Sequence, residues 1–258
     1  MKSNPANRTE SAVFEFLLRL GDTRLVLGHR ISEWCGHAPI LEEDIALANI
    51  ALDLLGQAAN FLRLAGKFEN KGRNEDDLAF LREAVEFRNV HLVEVPRGDF
   101  AHTIVRQFLF DVHNCLLMEE LQKSGHNEIA AIAAKSFKED RYHLRHSGEW
   151  MRRLGDGTEE SHDRMQTALE DLSIYTGELF TKDEIDELLI GRKISPDPNL
   201  LKPKWEEMVS KVLEESTLKL PNNDRFRAGG GSEGVHTEHL GHILAEMQIV
   251  NRSFPGAK

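Results

Sequence analysis

The stretch Ile45-Ala-Leu-Ala-Asn-Ile-Ala-Leu-Asp-Leu-Leu-Gly-Gln-Ala-Ala-Asn-Phe-Leu62 decides the fold. Asp53 is its only charged residue. Ile45, Ala48, Leu52, Leu55, Ala59 and Leu62 recur at helical spacing and form one apolar stripe. The opposite face carries Asn49, Asp53, Gln57 and Asn60, with no Lys, Arg or Glu. A solvated helix face usually carries charges. The reading is therefore a helix buried all round, inside a bundle or beneath a partner subunit. Pro39 opens it, Glu42, Glu43 and Asp44 complement the dipole in its first turn, and Gly66 closes it, giving a helix over about 40–65.

Working outward, the prolines mark where other long helices can lie, because proline costs about 3 kcal/mol inside a helix. None of the eight falls between Pro96 and Pro196. The patterning predicts helices over about 10–35, 99–124, 127–154 and 159–180. It also predicts one from Asn74, capped by Asp77, to about 91, and a short one capped by Thr181 and Glu184 that ends at Gly191. Two more cover about 202–218 and 235–253, with a flexible or tightly turned run from Arg227 to Gly234 between them. The helix over 99–124 is nearly uncharged from Phe100 to Met118, where only Arg106 and Asp111 carry charge. Period-two alternation is scarce, so strands have little support. The expected architecture is all-α: one domain over 1–258, with a four-helix core at about 10–35, 40–65, 99–124 and 127–154, additional helices, and a C-terminal extension from about 200.

Of 258 residues, 40% are hydrophobic and 29% charged, with 43 acids against 32 Lys and Arg. A net charge of −11 repels phosphate backbones, which argues against nucleic acid as a partner. Cys35 and Cys115 alone form neither a disulfide framework nor a four-cysteine zinc site. The N-terminal stretch lacks the apolar run of a signal peptide, and no window holds roughly 18 uninterrupted apolar residues. The expectation is a cytoplasmic protein with no membrane span.

A helical bundle with acids and histidines raises the di-iron carboxylate question. That site takes a Glu from each of two helices and Glu-x-x-His from two others, since residues three apart share a helix face. Four histidines have an acid three residues earlier: Asp99/His102, Asp140/His143, Glu159/His162 and Glu233/His236, where chance placement gives about two. Only Asp140/His143 falls mid-helix in the expected core. On the helix over 40–65 the matching position reads Asp53-Leu-Leu-Gly56, and glycine cannot ligate. Asp111 lies on an apolar stripe with Ile104, Phe108, Cys115 and Met118 and needs a partner there, either a metal or a neighbour such as Arg106 or His143. Glu33 stands four residues before His37. The cluster His236-Thr-Glu-His239-Leu-Gly-His242 lacks the His-Glu-x-x-His order of zinc peptidases, and its bland reading is helix-start hydrogen bonding with an interface role. No phosphate loop, nucleophile elbow or dinucleotide fingerprint is present. Cys35, two residues from His37, reads more simply as a free thiol than as a nucleophile.

Four segments carry a resemblance. They are Leu20-Gly-Asp-Thr-Arg-Leu-Val-Leu-Gly28 with Glu33-Trp-Cys-Gly-His-Ala-Pro39; Leu47-Ala-Asn-Ile-Ala-Leu-Asp-Leu-Leu-Gly-Gln-Ala58; Lys138-Glu-Asp-Arg-Tyr-His143; and His236-Thr-Glu-His-Leu-Gly241 with Ala245-Glu-Met-Gln248. Spread over nearly the whole chain, they resemble the PaaC-type family of structural components of the bacterial ring-1,2-phenylacetyl-CoA epoxidase. The resemblance implies a ferritin-like fold and a structural, non-catalytic subunit. Such a subunit pairs with a catalytic A-type subunit that carries the di-iron centre, and a reductase supplies electrons. It implies no catalytic residue and no cofactor in this chain. Glu33, Asp53, Asp111, Asp140 and His143 are then vestiges of a metal site. Asn49, Gln57, His236, Glu238 and His239 are the interface candidates, with self-association a further expectation. The competing reading is a free-standing di-iron or manganese enzyme that uses those five vestigial positions.

Overall fold

The computed structural model describes residues 5–221 and 229–254. Every regular element among them is helical. The chain divides into two compact units, residues 5–96, 183–192 and 229–254 in the first and 97–182 and 193–221 in the second.

The first unit is built on α1 (Pro5–Ser32) and α2 (Leu41–Glu69). At 28 and 29 residues each is about 42 Å long. A side chain added at Gly21 would meet Leu62 and the Ala58 carbonyl, and one at Gly28 would meet Leu55 and the Ala51 carbonyl. As the position on α1 advances by seven, its contact on α2 retreats by seven. The pair is therefore antiparallel and unusually close, and the two glycines permit that approach. Leu17, Leu27, Ile31, Leu47, Ile50, Leu54 and Phe61 fill the seam. Arg24 is buried there too, donating through Nε to Gln57 Oε1 (2.9 Å) and lying over the Phe61 ring.

This arrangement corrects the expectation for α2. Its buried line is Leu47, Ile50, Ala51, Leu54, Gln57, Ala58 and Phe61, whereas Ile45 and Leu52 of the expected stripe are 54% and 66% exposed. Of the expected stripe, Leu55 and Leu62 do meet α1, at Gly28 and Gly21, so the inward face is rotated from the expected one and takes in only part of it. Both ends shift as well. The helix starts after Ile40 rather than at Pro39, and it runs through Gly66 to Asn70, whose left-handed conformation (φ 56°) ends it. Gly66 abuts the Arg73 carbonyl, so the glycine serves close packing and not termination. With a window of mean hydropathy 1.4, α2 is by length and composition apolar enough to cross a membrane, the one such helix among the described residues. One face of it is the core seam just described.

The helix expected from Asn74 to about 91 is three short pieces: α3 (Glu75–Phe80), a 3₁₀ turn at Ala84–Glu86, and α4 (His91–Glu94). The Asn74/Asp77 capping box is present. The break follows from Arg82, which is buried and paired with the fully buried Asp22 of α1. Arg82 Nη1 donates to Asp22 Oδ2 (3.0 Å) and to the Glu86 carbonyl (2.9 Å), which turns the chain inward.

The second unit rests on α5 (Phe100–Leu121) and α6 (Asn127–Gly155), also antiparallel: Phe100 stacks edge-on against Trp150, and Asp111 meets Ser147. Then come α7 (Glu159–Ser173), ending before a 3₁₀ segment at Thr176–Phe180, and α8 (Glu184–Gly191). The α8 segment belongs to the first unit, where Arg19 holds its Asp183 and Asp186. Its capping box is Asp183/Asp186 rather than Thr181/Glu184, since a carboxylate one residue before the helix accepts from both Ile185 and Asp186. In the second unit α9 (Pro198–Glu215) starts earlier than expected, with Asp197 as cap and Pro198 in the first turn, where its missing N–H costs nothing. Trp205 of α9 donates to the Leu109 carbonyl (3.0 Å). Finally α10 (Glu238–Ser253) docks in the first unit, where Gln248 donates to the Ala79 and Arg82 carbonyls. Of the run expected to be flexible, Arg227 and Ala228 lie outside the described residues. Gly230 and Gly234 adopt positive φ (115° and 82°) around a 3₁₀ turn at Gly231–Glu233. The fold is thus all-α and of the ferritin-like class, each unit organised on one long helical pair.

Candidate functional site

In the second unit three of the five expected metal-site positions come together. Asp111 on α5 and Asp140 and His143 on α6 are all 0–1% exposed. Positions 140, 143 and 147 share one face of α6, as the three- and four-residue spacing requires. His143 Nδ1 lies 3.9 Å from Asp140 Oδ1. Both oxygens of Asp111 are occupied by donors: Gln107 Nε2 to Oδ1 (2.6 Å) and Ser147 Oγ to Oδ2 (2.7 Å). Burial pushes the Asp111 carboxyl up to about 7, against the pull of the His143 charge and the Ser147 bond and with the push of Asp140. Burial and the Asp111 charge also drive the neighbouring Cys115 thiol strongly upward, so it is no nucleophile. The hydrogen bonds to Asp111 thus come from Gln107 and Ser147, and of the neighbours the sequence suggested, His143 acts on it through its charge.

Glu33 and Asp53 belong to the first unit. Glu33 is exposed at the end of α1 and pairs with Arg30 (2.6 Å). Asp53 is half-buried. Gly56 is exposed, and a side chain there would meet nothing within 4 Å. The buried polar contact between α1 and α2 is the Arg24–Gln57 pair, a cation and an amide. The buried acid of α1, Asp22, is committed to Arg82 and to the Arg88 N–H (2.9 Å).

This chemistry does not fit a di-iron carboxylate centre. Such a centre needs four carboxylates and two imidazoles facing inward as bases. Here α5 and α6 offer two acids and one imidazole; on α1 and α2 the buried acids are Asp22, committed to Arg82, and Glu43, and the buried Arg24 guanidinium repels cations. Both Asp111 oxygens, moreover, accept hydrogen bonds from within the α5–α6 pair.

A second buried cluster lies in the first unit, where sequence spacing pointed to the wrong acid. His236 stands three residues after Glu233, yet its partner is Glu94, on α4. Glu94 is fully buried and accepts from His236 Nδ1 (2.9 Å), Asn89 Nδ2 (3.0 Å) and the Thr237 N–H (2.6 Å). Its own burial pushes the carboxyl up, but these bonds together hold it below the usual range. His236 also donates through Nε2 to the Phe87 carbonyl (3.0 Å), and although burial works against its charge, the bonds to Glu94 and Phe87 raise its pKa. His91 Nε2 donates to the Val235 carbonyl (2.7 Å) and lies 3.8 Å from Glu94 Oε1. The pairing between segments so far apart in sequence has no local signature.

Among the expected interface residues, Asn49 and Glu238 are exposed and His239 half-buried. Gln57 is corrected to a core residue, 1% exposed against Arg24. The His236 side chain is likewise committed inward.

The family described as phenylacetic acid catabolic protein matches the chain over residues 1–258. The chain is 50% identical over 241 residues to the C subunit of the 1,2-phenylacetyl-CoA epoxidase of Escherichia coli (strain K12), covering 93% of this chain and 96% of that protein.

Proposed function

The chain belongs to the phenylacetic acid catabolic protein family, and from that premise we propose that it is the non-catalytic C-type subunit of a cytoplasmic, multicomponent 1,2-phenylacetyl-CoA epoxidase. In this reading the oxygen chemistry takes place in an A-type partner that carries the di-iron centre, a reductase feeds it electrons, and this chain itself binds no catalytic cofactor. The near full-length identity to an epoxidase C subunit supports the assignment to that assembly. One observation carries the non-catalytic part: the buried α5–α6 pair brings together two acids and one imidazole, Asp111, Asp140 and His143, where a di-iron centre takes four carboxylates and two imidazoles, and the matching position of α2 is Gly56. The free-standing di-iron or manganese reading is disfavoured on the same ground.

The partner surface in this reading is the outer stripe of α2. Leu41, Ile45 and Leu52 are 72%, 54% and 66% exposed, and Asn49 and Gly56 lie among them. No charged residue other than Asp53 breaks the stretch Ile45–Leu62. Uncharged, apolar and open, such a face suits the core of a stable subunit interface, of the kind that buries about 2,000 Å² or more.

The test reconstitutes the complex with Asp111→Asn and, separately, His143→Gln in this chain. Epoxide formation by the assembled enzyme is expected to stay within about twofold of wild type, and this chain alone is expected to form none. Loss of turnover in an intact complex, or epoxide formed without the A-type subunit, would reverse the assignment.

A further inference from the structure

Phe87 sets the tautomer of His236. Because Nε2 donates to the Phe87 carbonyl (3.0 Å), Nε2 carries a proton and Nδ1 faces Glu94 Oε2 at 2.9 Å. A neutral imidazole would then turn a lone pair toward a carboxylate oxygen. A cation must sit between them, either a proton or a metal ion. The surroundings match the second choice. His91 Nε2, a Glu94 oxygen and a His236 ring nitrogen all lie within 4.8 Å of one another. Two ligands held about 2.0–2.1 Å from zinc at a tetrahedral angle are roughly 3.4 Å apart. The observed separations of 2.9 Å (His236–Glu94) and 3.8 Å (His91–Glu94) bracket that value.

The supporting contacts are those a metal site uses. A ligating histidine usually gives its second ring N–H to a carbonyl, as His236 does to Phe87, and ligating carboxylates are themselves hydrogen-bonded, as Glu94 is by Asn89 and the Thr237 N–H. The Val235 carbonyl oxygen, 2.7 Å from His91 Nε2, is a candidate fourth ligand. Thr237 adds an independent sign. It is the N-cap of α10, yet its hydroxyl makes no capping bond and has no hydrogen-bond partner among the described residues, although it is buried.

We propose that His91, Glu94 and His236, with the Val235 carbonyl oxygen, form a structural site for one divalent first-row ion of the zinc class. The site pins the segment leading into α10 onto α4. It is closed, with side-chain exposures of 7%, 0% and 5% for the three ligands, as structural zinc sites are. On binding, His236 Nδ1 gives its proton to solvent, and the His91 proton moves from Nε2 to Nδ1 to free the ligating lone pair. The ion is separate from the epoxidation chemistry and from the α5–α6 cluster, so the proposal stands or falls independently of the subunit assignment.

The test uses the full chain, stripped with chelator and titrated with Co(II) and then Zn(II) at pH 7.5. One equivalent of Co(II) is expected to give visible d–d bands of a low-symmetry nitrogen/oxygen site, lost on displacement by Zn(II). Metal analysis is expected to return one zinc per chain. His91→Gln and His236→Gln, each checked for native helical content, are expected to weaken binding by roughly 100-fold or more. His239→Gln and His242→Gln, on the neighbouring turn, are expected to leave it unchanged. The wild-type spectrum keeps the test decisive if a variant misfolds. Absence of a stoichiometric site in the wild-type chain at 10 µM free Zn(II), about 100-fold or more above the Kd of ordinary structural sites, would mean that a proton alone bridges His236 and Glu94. Binding lost in the His239 and His242 variants but kept in the other two would mean surface chelation. Either result overturns the proposal.

Discussion

Asp111→Asn gives the sharpest test of the buried α5–α6 cluster. The folded protein holds this carboxyl at about 7, chiefly by burial, whereas an unfolded aspartate titrates near 3.9. Between those values the folded state binds the proton that the unfolded state has lost. Stability therefore falls as pH rises, by up to about 1.4 kcal/mol per pH unit, and levels off above pH 7. From pH 5 to pH 8 the loss from this one group is about 3 kcal/mol. Asparagine copies the neutral carboxyl in size. Its amide oxygen accepts from Gln107, and its amide nitrogen donates to Ser147 Oγ, reversing a bond that a hydroxyl serves equally well.

The variant is expected to match the wild type within about 1 kcal/mol at pH 5 and to exceed it by about 3 kcal/mol more at pH 8. For a chain of this size that is a gain of roughly 6–12 °C in Tm. The assay is urea unfolding followed by far-ultraviolet circular dichroism at half-unit pH steps, plotted as the difference between the two proteins. Titrating groups remote from the cluster are common to both and cancel; Asp140 and His143, which act on Asp111 through their charges, are replaced by Asn and Gln in a matched background to isolate its contribution. A difference that is flat from pH 5 to 8, or that favours the wild type as pH rises, would show that Asp111 is an ordinary ionised carboxylate stabilised by its neighbours. The account of the α5–α6 cluster as a buried neutral carboxyl would then be wrong.

Asn49→Lys places a charge on the outer stripe of α2 and is expected to weaken pairing with the companion subunit at least tenfold in a titration while the melting curve stays within about 0.5 kcal/mol of wild type. Gln57→Lys is expected to do something different, because it buries an ammonium beside Arg24; a loss of about 3–5 kcal/mol in urea unfolding checks it. Gly21→Ala drives a methyl into Leu62, whose Cδ2 would lie 2.7 Å away, and is expected to cost about 1–3 kcal/mol in the same assay.

The parts of the fold legible in sequence are those set by local chemistry. The proline-free interval located α5 and α6, and the Asn74/Asp77 capping box appears where the residues placed it. What sequence periodicity could not decide is where the inward face of α2 is centred, because apolar residues at helical spacing cover more than one side of it. The choice is made on the other helix, where Gly21 and Gly28 remove the side chains that would hold α2 away and so admit the line through Ala51, Leu55, Ala58 and Leu62. The fragmented stretch after α3 failed for a related reason. Nothing local breaks a helix at Leu81, but Arg82 must reach Asp22, 60 residues earlier.

The same division between local and distant chemistry runs through the candidate sites. Asp140 and His143 were legible because both lie on one helix at a spacing that fixes their face, and Asp111 because an acid on an apolar stripe is conspicuous. The proposal that they hold no metal rests in part on Gly56, which was legible. The hydrogen bonds that Gln107 and Ser147 make to Asp111 were not, since these are polar residues of no evident pattern that become meaningful only when α5 and α6 meet. The cluster of His91, Glu94 and His236 was not legible at all, because its carboxylate and its second imidazole are 142 residues apart. The i, i+3 search that found Glu233 before His236 looked only for an acid ahead of a histidine and so passed over His91 and Glu94, which share the spacing in the opposite order. His236, on an extended lead-in, has no period that ties it to them. Its signal is a buried carboxylate that receives three donors, and that feature exists only in the folded chain.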